Sequence, residues 1–115
     1  MKVYAYKNCS TCQKALRFLQ GRSFELVDIV EQPPTLAELR RMSGYVGGVR
    51  KLFNTSGRLY RELGLAGRNL DDEEALRLLA GHGKLVKRPF LLTSQGGAVG
   101  FRPEAWSELL DKGAI

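Results

Sequence analysis

The chain carries two cysteines, Cys9 and Cys12, with two residues between them in Lys7-Asn8-Cys9-Ser10-Thr11-Cys12. A thiol serves as nucleophile, metal ligand or reversible electron store, and its readiness to lose a proton decides how well it does so. The apolar run from Val3 to Tyr6 has the length and residue types of a short buried strand. Ala15, Leu16, Phe18 and Leu19 then recur at helical spacing over Gln13 to Gln20, leaving Lys14, Arg17 and Gln20 for the opposite face. The cysteines therefore sit where a strand ends and a helix begins. Cys9 falls at or just before the first helical residue, where unpaired N–H groups and the positive end of the helix dipole favour an anion. Such a position lowers a thiol's pKa, in known cases to roughly 3.5–7.5 against about 8.5 for free cysteine. Cys12, three residues on, lies one turn along the same face, within reach of a mixed disulfide formed at Cys9.

Three uses compete for the pair. A CxxC beside a strand–helix–strand pattern reads as a redox motif. Zinc normally takes four ligands, and one CxxC with the single histidine, His82, supplies three, so no metal is expected. Two inert core thiols are the third reading, since free cysteine packs as a small hydrophobe. The polar neighbours Lys7, Asn8, Ser10 and Thr11 make a poor core and favour the first. Ser10 and Thr11 also carry hydroxyls that could donate to a thiolate or cap the helix.

The elements that hold the pair follow in order. Gly21 stops the first helix. Ser23 to Ile29 alternates as a second strand with Phe24, Leu26 and Ile29 inward, and a strand–helix–strand unit implies parallel pairing with a right-handed crossover. After Pro33-Pro34, Thr35 and Glu38 form a capping-box pattern opening a helix to about Met42. Gly44, Gly47 and Gly48 then break the chain before a short helix over Val49 to Phe53. Asn54 to Gly57 reads as a turn and Leu59 to Leu63 as one more helical piece. Asp71 caps a clearer helix with Ala75, Leu76, Leu78 and Leu79 on its apolar face, closed by Gly81. Phe90 to Thr93 and Ala98 to Phe101 flank a glycine-rich turn as a hairpin, and Pro103 opens a last helix through Trp106, Leu109 and Leu110. His82 and Trp106 belong to no motif and are read as structural.

This order, βαβ, a helical insert over about residues 31–85, then ββα, is how an α/β thioredoxin-like fold with a mixed four-stranded sheet is assembled. Such folds place a proline, usually after a cis peptide bond, opposite the thiol. Pro89 stands there, and a proline merely starting an edge strand is the plainer alternative.

Length and composition set the frame. At 115 residues the chain suits one domain spanning 1–115, able to bury roughly two-thirds of its unfolded surface. It shows no secretory leader and no apolar run long enough for a membrane, so a soluble cytoplasmic protein with transient disulfides is expected. The net charge is +6, and eight of the eighteen basic residues fall between Arg40 and Arg77, which favours acidic partners. No direct sequence-specific nucleic-acid motif accompanies that charge.

The residues also resemble the arsenate-reductase-like family, which includes glutaredoxin-linked arsenate reductases, small reductase-like relatives and the Spx transcriptional regulators. Lys7-Asn8-Cys9 through Lys14-Ala15, Phe53-Asn54-Thr55 with Gly57, Tyr60-Arg61-Glu62-Leu63, Lys87-Arg88-Pro89 and Val99-Gly100-Phe101 match its landmarks in its order. The resemblance implies a thioredoxin-like fold with an inserted helical subdomain. It gives Cys9 the place of the nucleophile, Arg88 that of an arginine holding an oxyanion or the thiolate, and Arg102 that of a further arginine of the arsenate reducers. Where those reducers have a third arginine this chain has Asn54, and where they have a histidine before the cysteine it has Ala5. Cys12 matches instead the CxxC of the Spx regulators, which contact the C-terminal domain of the RNA polymerase α subunit through a glycine that Gly48 would match.

The leading expectation is a thiol-disulfide oxidoreductase with Cys9 as nucleophile and Cys12 as resolving thiol. It would act on small thiols or protein disulfides, with glutathione, or thioredoxin or glutaredoxin, as reductant and no bound cofactor. Lys7, Asn8, Ser10, Thr11 and Arg102 are its candidate substrate or oxyanion ligands. A redox-switched regulator that binds RNA polymerase, with a basic insert around Arg40, Arg41, Arg50 and Lys51, is the alternative, and glutaredoxin-dependent arsenate reduction the third.

Overall fold

The computed structural model describes residues 1–112. Its centre is strand β1 (Lys2–Ala5), which pairs in parallel with β2 (Glu25–Asp28) on one side and antiparallel with β3 (Phe90–Leu92) on the other. A fourth strand, β4 (Gly97–Val99), pairs antiparallel with β3, giving the order β2-β1-β3-β4. This is the mixed four-stranded sheet of a thioredoxin-like fold. Because β1 is central it is covered on both faces, and Val3, Tyr4 and Ala5 are all buried.

One face carries α1 (Ser10–Phe18) and α5 (Pro103–Lys112). Val3, Ala5, Cys12, Ala15, Leu19, Leu91, Trp106 and Leu110 form its core, so the helix that carries the two cysteines is seated by the same apolar residues that build the sheet. Trp106 is fully buried, donates from Nε1 to the Gly100 carbonyl at 3.0 Å, and meets Phe101 edge to face. The other face carries α2 (Leu36–Val46) and α4 (Asp72–Gly81), with the short α3 (Arg58–Glu62) and several 3-10 turns, all lying in sequence between β2 and β3. Tyr4, Leu39, Met42, Leu52, Leu65, Leu79 and Phe90 are among the side chains packed there.

Capping fixes where the helices of this second layer begin. Thr35 accepts from the Glu38 amide at 3.1 Å while the Glu38 carboxylate accepts from the Thr35 amide at 3.0 Å, the reciprocal box its sequence predicts. Glu38 does more: it accepts from the Tyr4 hydroxyl at 2.6 Å and from Lys2 Nζ at 3.1 Å. One carboxylate thus ties the start of α2 to β1. Asp71 caps α4 by accepting from the Glu74 amide at 2.8 Å.

Helix α1 begins at Ser10 with Cys9 as its cap, as expected, and the amphipathic stretch from Gln13 is its continuation. Other elements differ from expectation. Gly44 does not break α2, which runs on to Val46; the turn waits for Gly47, whose φ of 88° is the left-handed conformation that suits glycine. Leu26 is 55% exposed, and Val27, expected outward, is buried. Alternation holds in β2, but its covered face is the one that carries Val27 and Ile29, not the one that carries Leu26. Val27 packs under the α2–α4 layer, and Leu26, on the outermost strand, lines the open cleft between β2 and α1.

Candidate functional site

Cys9 is the N-cap of α1, with extended backbone (φ −103°, ψ 116°). Its Sγ accepts from the Cys12 amide at 3.4 Å, and the tight turn from β1 is closed by the Cys9 amide donating to the Tyr6 carbonyl at 3.0 Å. The helix has no acidic residue in its first turn, so nothing competes with a thiolate for the positive end of its dipole. Cys12 lies one turn deeper, 1% exposed, and accepts from the Tyr6 amide at 3.5 Å. Both thiols are free.

The two sulfurs are electrostatically unequal. Burial works against ionising Cys9 and is the largest single influence on it. The amide and thiol of Cys12, the charge of Arg88 and the Thr11 amide together outweigh burial and hold Cys9 below the ordinary thiol range. Cys12 goes the other way: burial pushes it up to about 12, and the neighbouring Cys9 sulfur adds to the rise against the Tyr6 amide and Arg88. An accessible, acidified thiol over a buried, protonated one is the arrangement a nucleophile and its resolving partner require.

A groove of about 700 Å³ opens over Cys9. The sequence-predicted Asn8, Ser10, Thr11, Arg88 and Arg102 line it with Cys9. Arg88 is fixed from two sides, donating to the Lys84 carbonyl at 3.3 Å and lying 5.2 Å from the centre of the Tyr6 ring. The Arg88–Pro89 peptide bond is cis, and Pro89 itself is buried at the start of β3. Backbone amides, those of Thr11 and Cys12, and not the Ser10 or Thr11 hydroxyls, act on the Cys9 sulfur.

Other predicted residues lie elsewhere. Lys7 borders the cleft between α1 and β2, beside Leu16 and Leu26, and does not line the groove. Gly48 sits at the start of the 3-10 turn Val49–Leu52 with φ 144°, a conformation that any side chain would strain, and it too is outside the groove. His82 ends α4. Among the described residues no group of three or more His, Cys, Asp or Glu side chains is gathered to hold a metal, and no helix is long and apolar enough to cross a membrane.

The far wall is Asn54, Ser56, Gly57 and Lys87: the resemblance had set Asn54 at the place of a family arginine, but none of the four was among the predicted site residues. The turn Asn54–Gly57 reaches the groove because Phe53 bridges Val86, the Asn54 amide donates to the Leu85 carbonyl and the Lys87 amide to the Leu52 carbonyl, both at 2.7 Å. The turn is closed tightly: a Cβ on Gly57 would stand 2.7 Å from Asn54 Nδ2. The available signal was adjacency, since Lys87 precedes Arg88 and Asn54 is a turn residue inside a family landmark.

Comparison with known proteins agrees with this geometry. The family model described as ArsC family matches residues 4–109. The uncharacterized protein YusI of Bacillus subtilis is 38% identical over 113 residues, covering 94% of this chain and 96% of that one. An arsenate reductase of Neisseria meningitidis serogroup A is 35% identical over 104 residues, covering 87% and 89%. The crystal structure of a protein related to this family from Bacteroides fragilis superposes with a TM-score of 0.88 at 42% identity, covering 94% of this chain and 95% of that one.

Proposed function

From the premise that the chain belongs to the ArsC family, we propose that it is a thiol-disulfide oxidoreductase working through Cys9 and Cys12. The observation that carries this reading is the inequality of the two sulfurs: Cys9 half-buried, capping α1 and acidified in a cationic groove, Cys12 buried and protonated behind it.

The Cys9 thiolate attacks one sulfur of a substrate disulfide. The substrate S–S bond breaks, a mixed disulfide forms at Cys9, and the first substrate thiolate leaves and takes a proton. Forming that mixed disulfide removes the negative charge that helps keep Cys12 protonated, so Cys12 becomes easier to ionise when its turn comes. Its thiolate then attacks the Cys9 sulfur, releasing the second substrate thiol and leaving a Cys9–Cys12 disulfide. Two electrons have passed from the cysteines to the substrate. Two glutathione molecules, or a dithiol protein of the thioredoxin or glutaredoxin class, return them and are oxidised to a disulfide. Arg88 holds Cys9 ionised, and Arg102 and the helix N-terminus offer charge and N–H donors to an anionic substrate group.

The test is NADPH consumption with glutathione, glutathione reductase and hydroxyethyl disulfide. Turnover lost in Cys9→Ser is the expected result, and Cys12→Ser reports whether one thiol or two are needed. A protein that forms the Cys9–Cys12 disulfide yet never turns over would refute the enzyme and leave the redox-switched binding protein. Arsenate-dependent NADPH consumption with glutathione, glutathione reductase and glutaredoxin, the disulfide left out, would instead assign the oxyanion reaction.

A further inference from the structure

A second cavity, of about 510 Å³, runs along β4 between the end of α2, the turn Val49–Leu52 and α5. Four cationic side chains line it, Arg50, Lys51, Lys87 and Arg102, and no acidic one does. None of the four takes part in an ion pair among the described residues; Arg50 donates only to the Arg68 backbone carbonyl, at 3.1 Å, which leaves its charge uncompensated. Lys87, Val99, Gly100 and Arg102 also line the groove over Cys9, so the two spaces are continuous.

The floor of this cavity is a sheet edge. β4 is the last strand and pairs with β3 alone. The Gly100 amide donates to the Pro89 carbonyl at 2.9 Å, and the alternation of an antiparallel ladder then turns the backbone groups of Val99 and Gly97 the other way, toward the cavity they line. Outward N–H and C=O groups on an edge strand are a template for an added strand. Tyr45 and Phe53 offer apolar surface beside it. A peptide backbone matches that edge in a way that a nucleic-acid backbone, lacking alternating donors and acceptors, does not.

We propose that this cavity docks an extended acidic segment of a protein substrate along β4, delivering the segment's disulfide to Cys9. The substrate part of the proposal rests on the oxidoreductase reading above. The docking part does not.

The test separates them. In the full chain carrying Cys9→Ser and Cys12→Ser, fluorescence anisotropy would follow a labelled seven-residue Glu/Asp-rich peptide. Its comparators are the Gln/Asn isostere, the acidic peptide N-methylated at alternate residues, and a single-stranded oligonucleotide. Two or three new charge pairs predict binding about tenfold tighter for the acidic peptide than for the isostere. That preference should fall with salt and with the Arg50→Glu/Lys51→Glu pair, and N-methylation should weaken binding. Equal binding of the isostere, or binding of the oligonucleotide alone, overturns the docking. In the wild-type protein, kcat/KM for an acidic peptide disulfide should exceed that for its Gln/Asn isostere, mainly through KM. Equal values overturn the substrate assignment, whereas failure to reduce hydroxyethyl disulfide refutes the oxidoreductase reading and leaves the anisotropy result to judge the docking.

Discussion

At pH 7 iodoacetamide should alkylate Cys9 and leave Cys12 nearly untouched. Burial places Cys12 at about 12, which leaves a thiolate fraction of about 10⁻⁵ at pH 7, against roughly 3% for an ordinary thiol near 8.5. The ionisation ratio is therefore about 3000. A more basic thiolate is intrinsically the better nucleophile, and a Brønsted slope near 0.45 over that gap returns a factor of about 40. The net preference for an ordinary thiol over Cys12 is about 80-fold, before counting the shielding of a sulfur that is 1% exposed. Cys9 is lowered from the ordinary thiol value, and as long as its pKa stays near or above 7 each tenfold gain in thiolate costs only about threefold in nucleophilicity, so the preference for Cys9 grows. Peptide mapping by mass spectrometry after substoichiometric alkylation reads the ratio, and a rate–pH profile reads the Cys9 midpoint. Arg88→Gln should move that midpoint upward, because the guanidinium is one of the influences that lower it. Comparable labelling of both cysteines, or a Cys9 midpoint no lower than that of the unstructured peptide Lys7–Gln13, would refute the assignment of roles.

Three further outcomes concern the scaffold. Trp106→Phe keeps most of the buried ring but orphans the Gly100 carbonyl, which should cost about 2 kcal/mol in urea unfolding; a neutral result would mean that water replaces the indole. Gly83→Ala should lose about 3 kcal/mol or fail to fold, since the new Cβ would collide with the backbone of Ile29 and Val30, which cannot swing aside as a side chain could. Glu38 is held below the ordinary carboxylate range: burial opposes this, and the Tyr4 hydroxyl, the Thr35 amide and Lys2 outweigh it. A depressed folded-state pKa means stability present above the unfolded value near 4.3 and lost as pH falls through the folded value. Glu38→Gln should therefore cost about 1.5 kcal/mol at pH 7 and less as pH falls toward and through the folded value, measured by denaturant titration at pH 7 and pH 3. An equal gap at the two pH values would contradict the ionic origin.

What the sequence made legible is what local physics decides. The Thr35–Glu38 box, the Asp71 cap and Pro103 at the start of α5 each follow from groups within one turn of one another, and all are in place. Leu26 and Gly44 went astray because each turns on a non-local fact. A two-residue period says which side chains share a face but not which face is covered, and in β2 the covered face is that of Val27, under the helical layer, while Leu26 on the other face is exposed. A glycine costs a helix about 1 kcal/mol, enough to suggest an end. Leu39 and Met42 sit fully buried in the same helix, and their burial outweighs that cost, so α2 continues through Gly44.

The same division runs through the candidate site. That Cys9 caps a helix is a matter of residues 6–13, and so was readable; that Arg88 faces it depends on β3 pairing with β1, which the family landmarks implied and composition did not. The turn Asn54–Gly57 is the extreme case. Nothing within ten residues of it touches the cysteines in sequence, and it arrives at the groove through one bridge, Phe53 to Val86, flanked by two backbone hydrogen bonds. Those bonds join the helical layer to the residues just before Pro89, so the segment that carries Arg88 and the segment that carries Asn54 are positioned by the same contact. A groove built this way couples the layer over the sheet to the wall of the thiol site. Asn54 and Arg88 are then set by one local geometry, which neither segment's own sequence displays.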